Sequence, residues 1–335
     1  MEKKDLRIVF MGTPEFAVET LKALVENDYH VVAVVTQPDK PVGRHGSVLQ
    51  PSAVKQYAVE HGIPVLQPVK MKDPAFVETL RSFHANLQVV VAFRMLPEVV
   101  WDMPEYGTFN VHAALLPQYR GAAPINWAVI NGETQTGVTT FFLDKNIDTG
   151  RVIMQKPFDI PDTADVEYVY DGLMHLGAEI CLDTLERLLV ADGHLESIPQ
   201  EQLITAGQVL RHAPKIFKET CDIDWNLPAK QIYDFIRGLC PVPSAWTTLC
   251  DSTGRQTTLK VFKAMVSDIV RPVDPGTVVV EGKKLYIAAR TGKLLRIDEL
   301  QLAGKKRMTA MDFLNGNKNI TEARCIHTSS ETETV

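Results

Sequence analysis

Residues 6–35 read LRIVFMGTPEFAVETLKALVENDYHVVAVV. Leu6 to Met11 is apolar and rich in β-branched and aromatic side chains, the pattern of a buried strand. Gly12 breaks it. Thr13 is placed to cap a helix whose first residue is Pro14, with Glu15 in the first turn. Ala17, Leu21, Leu24 and Val25 then share one helical face. Val31 to Val35 is the next strand. Strand, crossover helix and strand predict a parallel, doubly wound α/β sheet. A dinucleotide turn needs G-x-G-x-x-G, and Gly12 stands alone in Gly12-Thr13-Pro14. That argues against a nicotinamide cofactor and leaves Gly12 as a tight strand-to-helix turn.

The alternation continues downstream. Thr36 to Gln50 (TQPDKPVGRHGSVLQ) has two prolines, two glycines and mixed charge, so it reads as a surface loop of unusual length. Lys40, Arg44 and His45 in it can meet phosphates. Ser52 to His61 is a helix stopped by Gly62, Pro64 to Leu66 a short strand, and Asp73-Pro74 opens a helix ending near Phe83. Leu87 to Ala92 is a central strand. It runs into Phe93-Arg94-Met95-Leu96-Pro97, at the edge where open α/β sheets bind ligands. Thr108 to His112 is a strand and Pro124 to Ile130 a helix. Gly137 to Leu143 and Val152 to Lys156 are strands around the turn DKNIDTG (144–150). Asp165 to Val190 is a long helix.

At 335 residues the chain suits two domains. The texture turns polar at 191–208, read as a linker between domains at 1–190 and 209–335. Past it, strand-like runs at Trp246–Leu249, Leu259–Ala264, Thr277–Val280, Leu285–Ala289 and Leu294–Leu300 suggest a small β-barrel. Thr309 to Leu314 is a last helix, followed by a frayed Ser/Thr/Glu tail. No apolar run approaches the ~20 residues of a membrane helix. The five cysteines are odd in number and form no CxxC, so a reducing compartment without structural zinc is the simplest reading. Residues 1–199 hold 16 Lys and Arg against 26 Asp and Glu, and residues 200–335 hold 19 against 15. A balance of −10 against +4 can mark a polyanion-facing C-terminal part, although +4 over that length is also ordinary scatter.

The chemistry lies in FNVHAALLPQYRGAAP (109–124). Asn110 and His112 are two apart in a strand, so they share a face. They stand just before an irregular, proline-closed loop. An ordinary imidazole titrates near ~6.5 and can take a proton at neutral pH. An amide NH2 can hold an oxyanion, worth roughly 2.7–4 kcal/mol for one such donor. Together they suit attack by an amine on an acyl carbon. A carboxylate is needed to orient the imidazole. Asp144, Asp148 and Asp159 are candidates, and Asp148 sits in a turn with Gly150.

FMGTPEFAV (10–18), VTQPDKPVGR (35–44), NVHAALLPQYRGAAPINWAVINGETQTGVTTF (110–141) and DTG (148–150), at these spacings, resemble the methionyl-tRNA formyltransferases. The likeness continues in LRHAPKI, IDW, PGTVV and KKRMTAMDFLNG, out to about Gly316. The resemblance implies a Rossmann-like formyltransferase domain with a C-terminal OB-like barrel that binds tRNA. It implies formyl transfer from 10-formyltetrahydrofolate to the α-amino group of methionyl initiator tRNA, with no metal. It places Asn110 on the formyl oxygen, His112 on the amine's proton and Asp148 behind His112. It assigns folate contacts to Ala114, Leu115, Leu116 and Pro117, with Phe93, Arg94 and Met95 at the pterin pocket. It assigns the acceptor stem to the loop with Lys40, Arg44 and His45, Arg44 foremost. A cytoplasmic monomer that touches no membrane is expected.

Two positions depart from the family pattern. Its folate-loop serine is Ala114 here. Its Ala-Tyr-Gly-Leu-Ile-Leu-Pro segment is Ala92-Phe93-Arg94-Met95-Leu96-Pro97, one residue shorter and with arginine for glycine. Arg94 either reaches the folate's charged tail or is simply exposed. Two rival functions are a formyltransferase for glycinamide ribonucleotide or an amino sugar, and an RNA-binding protein on an inactive transferase fold. The long loop at Thr36–Gln50 and the basic-leaning C-terminal part argue against the first. Intact Asn110, His112 and Asp148 argue against the second.

Overall fold

The computed structural model describes residues 1–42, 48–317 and 320–328. It divides into two compact units. One comprises Met1–Pro124, Gln135–Asp159 and Tyr170–His212; the other comprises Ile125–Thr134, Ile160–Val169 and Ala213–Val335. The expected split at 191–208 differs from this division. Two early segments join the second unit, where Gly132 has Asp234 as its neighbour and Arg237 donates to the Ala164 carbonyl.

The first unit is built from β1 (Arg7–Gly12), α1 (Glu15–Glu26), β2 (His30–Val35), β3 (Lys40–Val42), β4 (Val48–Gln50), α2 (Ala53–Glu60), β5 (Val65–Leu66), α3 (Pro74–Ser82), β6 (Leu87–Val91), α4 (Glu98–Trp101) and β7 (Thr108–His112). Then come β8 (Arg120–Gly121), α5 (Pro124–Ile130, mostly in the second unit), β9 (Gln135–Phe142), β10 (Val152–Asp159) and the helix α6 (Val166–Val190). The main sheet has the order β10-β9-β7-β6-β1-β2-β5. Strands β7, β6, β1, β2 and β5 run parallel, as the opening β-α-β pattern predicts. Every residue of β6 is buried, as expected for a central parallel strand covered on both faces. The parallel run ends at the last two strands: β9 runs antiparallel to β7 and β10 antiparallel to β9. A short turn joins β9 to β10, and a short turn allows only the antiparallel return.

Register brings three turns to one edge. Gly12 pairs with Val91, and Val91 with Val111, so the ends of β1, β6 and β7 lie side by side. Gly12 is needed there because a Cβ would stand 2.7 Å from Ala17 Cβ and 3.0 Å from the Val91 carbonyl. Thr13 does not cap α1 as expected; Pro14 takes the cap position, and no side-chain cap bond forms. Ser52 and Asp73 do cap α2 and α3, each accepting a backbone N–H.

Two expected irregular stretches carry structure. Within Thr36–Gln50, β3 and β4 pair as an antiparallel hairpin, Lys40 opposite Gln50 and Val42 opposite Val48. The expected tRNA contacts Arg44 and His45 lie outside the described residues. The polar stretch 191–208 is tied to the sheet: Ile198 and Val152 exchange both backbone hydrogen bonds at 2.8 Å.

In the second unit, strands Val278–Glu281, Lys284–Ala288, Lys293–Leu302, Gln256–Val270, Ala245–Cys250 and Arg324–Ile326 lie in that order, all antiparallel neighbours. The 15-residue strand Gln256–Val270 breaks register three times against its partner, and such bulges curl a sheet. The curl brings the two edges together. Thr277 bridges Arg324, and Cys325 donates its N–H to the Gly276 carbonyl at 2.8 Å. The helix Ala229–Gly238 buries Ile232 and Ile236 in the core that the barrel encloses.

Candidate active site

His112 is the last residue of β7, and Asn110 shares its face. Both stand at the edge where β1, β6 and β7 end. The His112 ring is nearly buried, at 6% exposure. Its Nε2 lies 2.9 Å from the Tyr119 carbonyl oxygen. A carbonyl only accepts, so Nε2 carries the proton and Nδ1 keeps the lone pair in the neutral ring. Asp148 Oδ2 lies 3.9 Å from that Nδ1. This is ion-pair range and beyond hydrogen-bond reach. The carbonyl and the carboxylate face different ring nitrogens, and both are acceptors.

Two loops hold Asp148 in place. Its Oδ2 accepts the Gly121 N–H at 2.9 Å. Its own backbone is left-handed (φ +55°), a conformation Asp tolerates better than most residues. The turn around it is pinned by Asp144, which accepts from Asn146 N at 2.9 Å and Thr149 Oγ1 at 2.7 Å. Gly150 closes the turn against β9: a Cβ there would fall 1.6 Å from the Phe142 carbonyl oxygen. Of the three candidate carboxylates, Asp148 is the one brought to His112. Asp144 shapes the turn, and Asp159 accepts from Gln135.

Asn110 Oδ1 is buried and has no hydrogen-bond partner among the described residues. A buried amide oxygen left unpaired costs free energy, about 1–3 kcal/mol, unless a ligand satisfies it. This orphan acceptor shares the strand face of His112 and is open to a ligand's donor.

The loop after β7 is set from below. Thr139 Oγ1, on β9, donates to the Ala114 carbonyl at 2.6 Å and accepts the Leu116 N–H at 3.1 Å. Gln155 Nε2, on β10, donates to the Leu116 carbonyl at 2.8 Å. Ala114, Leu116 and Pro117 are buried, and Leu115 is half-buried against Gly137. Their side chains fix the loop's shape, so its backbone is what it can present to a ligand. Phe93 is half-buried, and Met95 is 67% exposed. Arg94 is half-buried rather than simply exposed. Its guanidinium donates to the carbonyls of Val69, at 2.9 Å, and Pro68, and burial pushes its pKa down. It anchors the segment after β5 to the turn after β6.

Lys40 is exposed on β3. The base of that hairpin is clamped by Asp39, which accepts from Lys55 Nζ at 2.6 Å and Gln67 Nε2 at 2.8 Å. Those two bonds hold the Asp39 carboxyl below its ordinary pKa.

Sequence reasoning missed the groups that hold the site. Tyr119 and Gly121 act through backbone atoms, which residue type does not advertise. Thr139 and Gln155 looked like ordinary strand residues. Gln200 lay inside the stretch read as a linker; a glutamine in the polar run Gln200-Glu201-Gln202 gives no signal of burial.

Comparison with known proteins places the chain. The model of the formyl transferase family matches residues 6–185, and that of the formyl transferase C-terminal domain matches residues 215–318. The methionyl-tRNA formyltransferase of Parabacteroides distasonis is 60% identical over 322 residues, 96% of this chain and 99% of the relative. That of Phocaeicola vulgatus is 58% identical over 316 residues, 94% and 97% of the two chains. This chain belongs to the methionyl-tRNA formyltransferase family. The fold of the family extends to more distant proteins. A crystal structure of the N-formyltransferase from Helicobacter canadensis, with folinic acid and dTDP-3-aminofucose, superposes with a TM-score of 0.60 at 17% identity, over 87% of this chain and 98% of that one. Asn110, His112 and Asp148 fall within the matched N-terminal region of the family. The closing strand Arg324–Ile326 falls beyond the matched C-terminal region.

Proposed function

We propose that this chain transfers a formyl group from 10-formyltetrahydrofolate to the α-amino group of methionyl initiator tRNA, giving N-formylmethionyl-tRNA for translation initiation. The observation that carries the chemistry is the meeting of Asn110, His112 and Asp148 at one sheet edge, with Nδ1 and Oδ2 3.9 Å apart. The folate co-substrate supplies the formyl group. The residues present fit it: Asn110 offers an amide that no group among the described residues satisfies at Oδ1. Its NH2 holds the formyl oxygen as that oxygen gains charge, and Oδ1 accepts an N–H of the incoming amine.

As the amine nitrogen bonds to the formyl carbon and the carbon–N10 bond breaks, His112 takes the amine's proton at Nδ1, because the Tyr119 carbonyl fixes the proton already on Nε2, and returns it to N10 of the leaving tetrahydrofolate. The new Nδ1–H faces the Asp148 carboxylate, which stabilises the cation. The loop Ala114–Pro117, held by Thr139 and Gln155, and the turn at Phe93–Met95 frame the folate. Residues 1–190 carry the reaction. The stretch Thr36–Gln50 with Lys40, Arg44 and His45, together with the barrel at 209–335, meets the tRNA; the balance of +4 in residues 200–335 supports this division. We place the activity in the cytoplasm, in a monomer. The five free thiols suit a reducing compartment.

The test is transfer of a labelled formyl group to methionyl-tRNA. Transfer to an amino-sugar nucleotide or glycinamide ribonucleotide instead would replace the acceptor, and tRNA binding without turnover would remove the activity. His112→Ala should lower turnover by about 10²-fold or more. Normal turnover in that variant would take His112 out of the mechanism.

A further inference from the structure

We propose that Gln200 is a positioning residue for formyl transfer, acting by locking the Asp148 turn to the loop that holds the other side of His112. The inference rests on the reading of Asp148 given above. Gln200 is 1% exposed, and its amide is fully used. Nε2 donates to the Asp148 carbonyl at 2.9 Å and to the Gly150 carbonyl at 2.8 Å. Oε1 accepts from Arg120 Nε at 3.0 Å and Nη2 at 2.7 Å. Two donors and two lone pairs are the whole capacity of the side chain. The amide's orientation follows from its partners, since turning it over would set an oxygen against two carbonyls and an NH2 against a guanidinium.

The placement matters because of what each end touches. Asp148 and Gly150 bracket the turn that presents the carboxylate. Arg120 lies between Tyr119, whose carbonyl sits on His112 Nε2, and Gly121, whose N–H holds Asp148 Oδ2. One buried amide therefore joins the two backbone segments that set the His112–Asp148 separation. Asp148 and Tyr119 are both left-handed, at φ +55° and +59°, and such residues keep that conformation only when their surroundings impose it. Gln200 touches none of the reacting groups. It comes from the polar stretch after α6, so that segment completes the site as well as leading to the barrel.

The experiment measures kcat and both KM values for Gln200→Ala, Gln200→Glu, Asp148→Asn and the Gln200→Ala/Asp148→Asn double variant, each with its thermal midpoint. Gln200→Ala should lower kcat by about 10- to 100-fold, the scale of a misplacement near 1 Å, with both KM values within about threefold. Added to Asp148→Asn it should cost little more, because both act through one carboxylate. Gln200→Glu keeps the volume and the Arg120 partner but sets a carboxylate against two carbonyls. It should lose kcat as Gln200→Ala does, and it carries the test if the alanine variant does not fold. A damaged Asp148→Asn enzyme beside a fully active Gln200→Ala one would overturn the inference, as would losses that multiply in the double variant. Normal turnover by Asp148→Asn would remove the carboxylate from the reaction, and the role of Gln200 with it.

Discussion

Asp148 Oδ2 and His112 Nδ1 stand 3.9 Å apart, while the other ring nitrogen is 2.9 Å from the Tyr119 carbonyl. In a Ser-His-Asp arrangement the carboxylate takes the ring nitrogen opposite the one that moves the proton. Here a backbone carbonyl holds that opposite position. In the proposed mechanism the carboxylate faces the nitrogen that would receive the proton, which makes it a charge partner for an imidazolium rather than an orienting acceptor.

Asp148→Asn separates those roles. An asparagine oxygen can still accept the Gly121 N–H, so the turn survives, but the negative charge is gone. Turnover should fall by about 10²-fold while KM for methionyl-tRNA changes little, as for a weakened proton-transfer step. Steady-state kinetics check this. A variant with normal kcat would show that the neutral environment alone supports the proton step.

Thr139→Val tests how the loop after β7, proposed to frame the folate, is held. The hydroxyl is fully buried and serves both the Ala114 carbonyl and the Leu116 N–H. Valine has nearly the same shape and no polar atom. The loop's buried groups are then left unpaired, at a cost of about 1–3 kcal/mol. Denaturant unfolding should show that loss, and KM for the formyl donor should rise. Unchanged stability with unchanged KM would mean that the loop needs no support from β9.

These cases show what the sequence could and could not say. Strand Thr108–His112 and helix Pro124–Ile130 were legible to the residue, because apolar patterning and the Pro and Gly stops are local signals. The Asn-x-His pair was legible because strand alternation puts residues two apart on one face. Arg94 was not, because its partners, the carbonyls of Pro68 and Val69, are 26 and 25 residues away and have no side-chain signature. Gln200 was hidden for a similar reason. The antiparallel turn of β9 and β10 escaped notice because strand residues carry no mark of direction.

The hairpin prediction concerns salt. Removing one cation from a phosphate should lower the slope of log affinity against log salt by about 0.7–0.9. Lys40→Ala and Arg44→Ala should each soften the salt dependence of methionyl-tRNA binding while leaving KM for the formyl donor alone. Fluorescence titration from low to high salt measures the slope. A slope equal to that of the unmodified protein in both variants would make the Thr36–Gln50 stretch a bystander.

The barrel prediction rests on the strand Arg324–Ile326, which closes the second unit. It pairs with Ala245–Cys250 on one side and meets Gly276 and Thr277 on the other. Gly276 is left-handed at φ +83°, and a Cβ there would stand 2.1 Å from the Cys325 carbonyl oxygen. Beyond the strand, buried Asp222 accepts both the N–H and the hydroxyl of Thr328, at 2.7 and 2.8 Å, and its carboxylate lies 3.3 Å from His327 Nδ1. Gly276→Ala forces both a positive φ and a backbone clash, so it should destabilise the protein by more than about 1 kcal/mol. Truncation after Asn317 removes the strand and the Asp222 clip together, exposing two sheet edges. Thermal unfolding of that variant should gain an earlier transition, and KM for methionyl-tRNA should rise more than KM for the formyl donor. A truncated protein with one transition at the original temperature would show that the barrel stands without its closing strand.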